Sequence, residues 1–121
     1  MPSNAGQKDE RPRPEFVIGD RYGTSCVGIV ADCVERTLRE LGYTVSRNKP
    51  YAGGFITEHY GNPAAGLHAI QLEINRALYM DERRYQREPG FARVAADMDR
   101  VARRLGEIPL EDLRPYRAAA E

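Results

Sequence analysis

Residues 15–46 constrain the fold more than any other stretch, because they read as strand, helix and strand in immediate succession. Phe16-Val17-Ile18 is a short apolar run closed by Gly19-Asp20, the pattern of a buried strand entering a turn. From Cys26 to Leu41 the residues Val27, Val30, Val34, Leu38 and Leu41 recur at three- and four-residue steps, with Asp32, Glu35, Arg36, Arg39 and Glu40 between them. That spacing lays a single apolar stripe along a helix. Ser25 is placed as its N-cap and Gly42 as the residue that ends it. Tyr43 to Ser46, with Thr44 and Val45, is a second strand. Strand, helix and strand in this order make a parallel crossover, which commits the chain to an α/β sheet.

The remainder must complete that sheet. Arg47 to Gly54 (RNKPYAGG) is a loop by composition, and Gly53-Gly54 allows backbone angles or close approaches that a side chain would block. Phe55 to Tyr60 fits either a short helix or a strand, and Gly61-Asn62-Pro63 ends it. His68 to Ala77 alternates Ile70, Leu72 and Ile74 with Gln71, Glu73 and Asn75, which is a third strand. Asp81 to Glu88 is a charged, solvated segment. Pro89-Gly90 then opens a second helix with the stripe Phe91, Val94, Ala95, Met98, Val101 and Leu105, closed by Gly106. The expected layout is a disordered leader over residues 1–14, a folded portion over 15–108 and a tail over 109–121.

Eighteen basic residues balance eighteen acidic ones, so no net field draws the chain to nucleic acid or to an anionic membrane. The arginines of the second helix, Arg93, Arg100, Arg103 and Arg104, are interleaved with Asp97 and Asp99 and read as a solvated face. No apolar run approaches the roughly 20 residues of a spanning helix, and the residues after Met1 are polar where a secretory signal is apolar. A cytoplasmic protein is expected. Cys26 and Cys33 stand seven apart, about 10.5 Å along a helix axis, beyond the roughly 7 Å that a disulfide spans. They read as free thiols on one helical face, in keeping with a reducing compartment, and not as a metal pair.

Chemistry concentrates between Pro50 and Glu82, where the glycine-rich loop, both histidines, Glu73 and Arg76 fall together. Glu73 has two readings: an exposed strand face or ion pair with Arg76 or Arg21, or a catalytic carboxylate on a covered strand, where polar groups must meet water or ligand. His59 and His68 are nine apart across a proline, which matches no compact metal spacing. A Ser25, His59 and Asp20 triad lacks the glycine-flanked elbow that exposes a serine nucleophile.

Three strings carry more than their periodicity: GDRYGTSC at 19–26, PYAGGFITEHYG at 50–61 and LHAIQLEINRALYMDE at 67–82. In order and spacing, over roughly residues 12 to 106, the chain resembles the N-formylglutamate amidohydrolase (N-formylglutamate deformylase) family. The resemblance implies a zinc-dependent hydrolase with a carboxypeptidase-like (phosphorylase/hydrolase-like) α/β fold, here a partial mixed or parallel sheet with flanking helices. It would convert N-formyl-L-glutamate to formate and L-glutamate in histidine degradation.

By its position in QLEINR, Glu73 resembles the general base of related carboxypeptidases. Arg21 and Arg76 are the candidates for bidentate recognition of the substrate carboxylates, and Tyr51, Gly53, Gly54, Thr57 and His59 for the pocket wall. Family members are considerably longer, and their zinc ligands are expected upstream. Met1-Pro2-Ser3 resembles the residues that follow a His-Ser pair in the family. The chain is therefore read as a carboxyl-terminal portion lacking the amino-terminal half and the zinc ligands, with an open sheet edge suited to self-association. The alternative is a catalytically inactive truncated paralogue that binds a partner through that edge.

Overall fold

The computed structural model describes residues 13–81, 86–87 and 90–115, and the structural statements below concern these. The leader expected over 1–14 falls outside them except for Arg13 and Pro14. A three-stranded sheet has β1 (Phe16–Gly19) at its centre, flanked by β2 (Val45–Arg47) and β3 (Gln71–Ile74). Helix α1 (Gly28–Glu40) carries the chain from β1 to the parallel β2, as the strand-helix-strand reading expects. β3 runs antiparallel to β1, so the sheet is mixed. Residues opposite one another in such a pair share a face. Phe16 faces Ile74 and Ile18 faces Leu72 on the core side, whereas Val17 faces Glu73 and Gly19 faces Gln71 on the other.

The core lies between the sheet and α1, and α3 (Gly90–Gly106) packs on α1 beyond it. Phe16, Ile18, Val34 and Leu38 are fully buried, each contributing on the order of 1.5–3 kcal/mol by leaving water. The Phe16 and Tyr43 rings meet edge to face at 4.8 Å, and the Tyr43 hydroxyl donates to Asp97 Oδ2, tying α3 to the turn before β2. Val94 and Val101 are buried on α3, but Phe91 and Ala95 of the expected stripe are exposed. The helix leans chiefly on α1, which covers a narrower row than a helix seated in a groove would bury.

Local chemistry moves several boundaries. Ser25 does not cap α1: the Asp20 carbonyl accepts the N–H groups of Gly23, Thr24 and Ser25, and the Ser25 hydroxyl donates to Ala69 O at 2.7 Å. The cap falls on Val27, whose N–H is accepted by His68 Nδ1 at 3.2 Å. Cys26 consequently precedes the helix and shares no helical face with Cys33; both thiols are free. Gly42 ends the helix at φ 96°, with its N–H on Arg39 O and that of Tyr43 on Leu38 O. Residues 55–60 form a helix, α2 (Phe55–Tyr60).

β3 is shorter than the expected 68–77. Asn75 Oδ1 accepts the N–H of Ala77 and turns the chain into a 3-10 segment, Arg76–Leu78. In the charged stretch that follows, β4 (Met80–Asp81) pairs with β5 (Gln86–Arg87). Within the expected tail, Leu110–Asp112 is a 3-10 turn, and Leu113 O accepts the Nε2–H of His68 at 2.7 Å.

Candidate active site

The site begins with a missing side chain. Gly19 ends β1 on the sheet face away from α1, and a Cβ there would lie 2.7 Å from Ala52 C and 2.8 Å from Gly53 N. Glycine is what lets the 50–54 loop rest on this face, where Ala52 O accepts the N–H of Arg21 at 2.8 Å. A second latch comes from Asn48: its Oδ1 accepts the N–H of Asp20 at 3.1 Å, and its Nδ2 donates to Asp20 Oδ1 at 2.9 Å. Between these fixed points Arg21 and Tyr22 are held at φ 54° and 57°. Consecutive non-glycine residues in that region are strained, and such strain gathers at functional loops.

Where the loop crosses the sheet, an open groove of about 650 Å³ forms, lined by Tyr51, Val17, Glu73, Arg76, Tyr79 and Arg13 among others. Glu73 is exposed on the edge strand β3, not buried on a covered parallel strand. Its carboxylate accepts at Oε2 from Gln71 Nε2 at 3.0 Å, while Gln71 Oε1 accepts the N–H of Gly54 at 3.0 Å. Arg13 and Arg76 line this groove beside Glu73, and a guanidinium fork can pair with a carboxylate.

Of the residues singled out in the sequence, Tyr51, Glu73 and Arg76 are brought together in the groove. The others gather around the start of α2. Arg21 donates to Gly53 O at 3.2 Å and pairs with Glu58 at 3.0 Å. Gly53 has φ 119°, and a Cβ there would meet Thr57 Oγ1. Thr57 is buried, its hydroxyl donating to Gly54 O at 2.8 Å. His59 is exposed and stacks on Phe55 at 4.9 Å. Gln71 is the link between the two groups, and the sequence offered one signal for it: it stands two residues from Glu73 on an alternating strand. Asn48 and Asp20 carried no such signal.

The donors among the described residues do not fit a zinc ion. Among the described residues no three His, Cys, Asp or Glu side chains converge. Both ring nitrogens of His68 are engaged, by Val27 N–H and by Leu113 O. Cys26 is buried, and burial above all, with Asp20 nearby, pushes its thiol up to about 11. A catalytic zinc requires about three protein ligands. No helix among the described residues is long and apolar enough to cross a membrane.

Comparison with known proteins agrees with the motifs. Two curated relatives, the N-formylglutamate deformylases of Pseudomonas putida and Pseudomonas aeruginosa, are each 40% identical over 70 residues, 57% of this chain and 26% of theirs. A crystal structure of N-formylglutamate amidohydrolase from Ralstonia eutropha JMP134 matches with a TM-score of 0.78 and 43% identity, over 88% of this chain and 40% of that one. The chain thus spans about a quarter of the length of these curated relatives. The family model for N-formylglutamate amidohydrolase matches residues 1–80 of the 121, and the chain belongs to that family.

Proposed function

We propose that the groove beside β3 is the substrate-binding and general-base part of a site that hydrolyses N-formyl-L-glutamate to formate and L-glutamate. The observation that carries this is the convergence of Glu73, Arg76 and Tyr51 on one groove in a chain of this family. In this reading the Glu73 carboxylate takes a proton from the water that attacks the formyl carbon, then gives it to the departing amine. Arg76, with Arg13, holds the substrate carboxylates, for which the planar guanidinium fork is suited. The zinc expected for the family would be held in a carboxypeptidase-like arrangement by residues other than those described, and no step is assigned to it. The free thiols Cys26 and Cys33 accord with a reducing, cytoplasmic setting.

A second reading is a non-catalytic module that binds a partner chain. It is favoured by the outer edges of β2 and β3, which no further described strand pairs, and by exposed Phe55, Ile56 and Tyr60 on α2. It entails stoichiometric association without formate release.

Titration of the chain with N-formyl-L-glutamate, followed by backbone amide NMR, separates the readings. Saturable shifts are expected at Tyr51 and at residues 73–79, with Arg76→Ala weakening binding about 10- to 100-fold, the loss of one charge-assisted contact. Absence of shifts in this groove at saturating ligand contradicts the assignment.

A further inference from the structure

We propose that Gln71 is a positioning residue that sets the orientation of the Glu73 carboxylate by tying it to the glycine-rich loop. This rests on the reading of Glu73 as the base and assigns the group that holds it.

Gln71 and Glu73 are two apart on β3, so their side chains leave the same face of the sheet. The Gln71 carboxamide is pinned at both ends: Oε1 accepts the Gly54 N–H and Nε2 donates to Glu73 Oε2, each at 3.0 Å. Only one amide orientation satisfies both partners, because a flip would set N–H against N–H and oxygen against carboxylate. Each anchor is itself fixed. Gln71 is opposite Gly19 in the sheet register, and Gly54 belongs to the loop that rests on Gly19.

Glu73, by contrast, is exposed on an edge strand, where a long carboxylate side chain is otherwise free among its rotamers. Gln71 removes that freedom. It also chooses between the oxygens, holding Oε2 and leaving Oε1 to accept the proton from water. A base so held needs no reorganisation when the substrate arrives, which is how an anchoring bond speeds a step it does not itself perform.

The test uses the full chain. In an NMR titration through the acidic range, the Gln71 side-chain N–H signals are expected to follow protonation of the Glu73 carboxyl, and in Glu73→Gln that dependence vanishes. In Gln71→Met, which keeps the length but loses donor and acceptor, the couplings that report the Glu73 χ1 angle are expected to collapse to rotamer averages. Gln71→Glu keeps an oxygen for Gly54 N–H, so the Gly54 amide stays protected from exchange while Glu73 still loses its donor. In formate release by a full-length family deformylase that carries residues 1–80 of this chain in place of its own matching segment, both Gln71 variants are expected to lower kcat by about tenfold or more with KM little changed.

Gln71 signals that do not follow Glu73, or an unchanged Glu73 χ1 in Gln71→Met, overturn the positioning role. Failure of the underlying reading is seen separately, as turnover of that chimera that survives Glu73→Gln while the Gln71 signals of the protein with Glu73 intact do follow its carboxyl.

Discussion

Gly19→Ala puts the docking of the loop on the sheet to a quantitative test. The added methyl would stand 2.7, 2.8 and 2.9 Å from Ala52 C, Gly53 N and Ala52 O, all of them backbone atoms that no rotamer change can move. Ordinary carbon contacts lie at about 3.5–4.0 Å, so the loop must retreat by roughly 1 Å. Overpacking of this kind costs about 1–3 kcal/mol, and straining the 2.8 Å bond from Arg21 N–H to Ala52 O adds about 1 kcal/mol. The combined loss of about 2–4 kcal/mol corresponds to a fall in Tm on the order of 10 °C or more for a domain of this size.

Gly28→Ala is the matched control. It opens α1, its new methyl would meet nothing within 4 Å beyond its chain neighbours and its own helix, and it should stabilise by up to about 1 kcal/mol. Urea and thermal unfolding of the three proteins, with amide exchange at Arg21 and Gly54, measure both effects. A Gly19→Ala protein within about 0.5 kcal/mol of the parent, with its Arg21 amide still protected, would refute the close docking.

Other perturbations reach other parts of the structure. Burial, reinforced by the hydrogen bond to Asp97, pushes the Tyr43 hydroxyl up to about 12. Its folded pKa therefore lies above the ordinary value of about 10, and stability that is whole below about pH 10 should fall as pH rises towards 12, by on the order of 2 kcal/mol. Tyr43→Phe should lack that slope, so the stability gap between the two proteins closes over this range; a constant gap contradicts the assignment. Cys26 should resist thiol reagents in the native chain and react only on unfolding, whereas half-buried Cys33 reacts first. Mass mapping of the labelled peptides checks the order, and rapid native labelling of Cys26 would count against its burial. His68→Ala removes the acceptor for Val27 N–H and the donor to Leu113 O, which should cost about 1–3 kcal/mol and expose the Val27 amide to exchange.

Features that rest on local periodicity were legible in the sequence. The stripe from Val30 to Leu38 gave α1, Gly42 gave its end, and Gly106 gave the end of α3. What escaped depends on contacts between distant residues. Ser25 is a good capping residue by type, yet the Asp20 carbonyl and Ala69 claim it, and a histidine 41 residues on takes the capping position's N–H instead. Alternation from Ile70 to Asn75 showed which residues share a face, but alternation is the same for both strand directions and does not reveal that β3 is an antiparallel edge.

The site divides in the same way. Glu73 and Arg76 were visible as charges in an apolar context, and the motif strings added the chemistry. The bond from Gly54 to Gln71 spans 17 residues and depends on Gly19 having no side chain, which nothing in the local pattern states.

The role of Glu73 is tested most directly by formate release from a complete family fold. The segment of a full-length N-formylglutamate deformylase that corresponds to residues 1–80 of this chain can be replaced by those residues, with Glu73 or with Glu73→Gln. Hydrolysis of N-formyl-L-glutamate by the first protein, and a fall in kcat of about 10²- to 10⁴-fold in the second with substrate binding retained, is the expected result. A Glu73→Gln chimera that releases formate at the parental rate would contradict it.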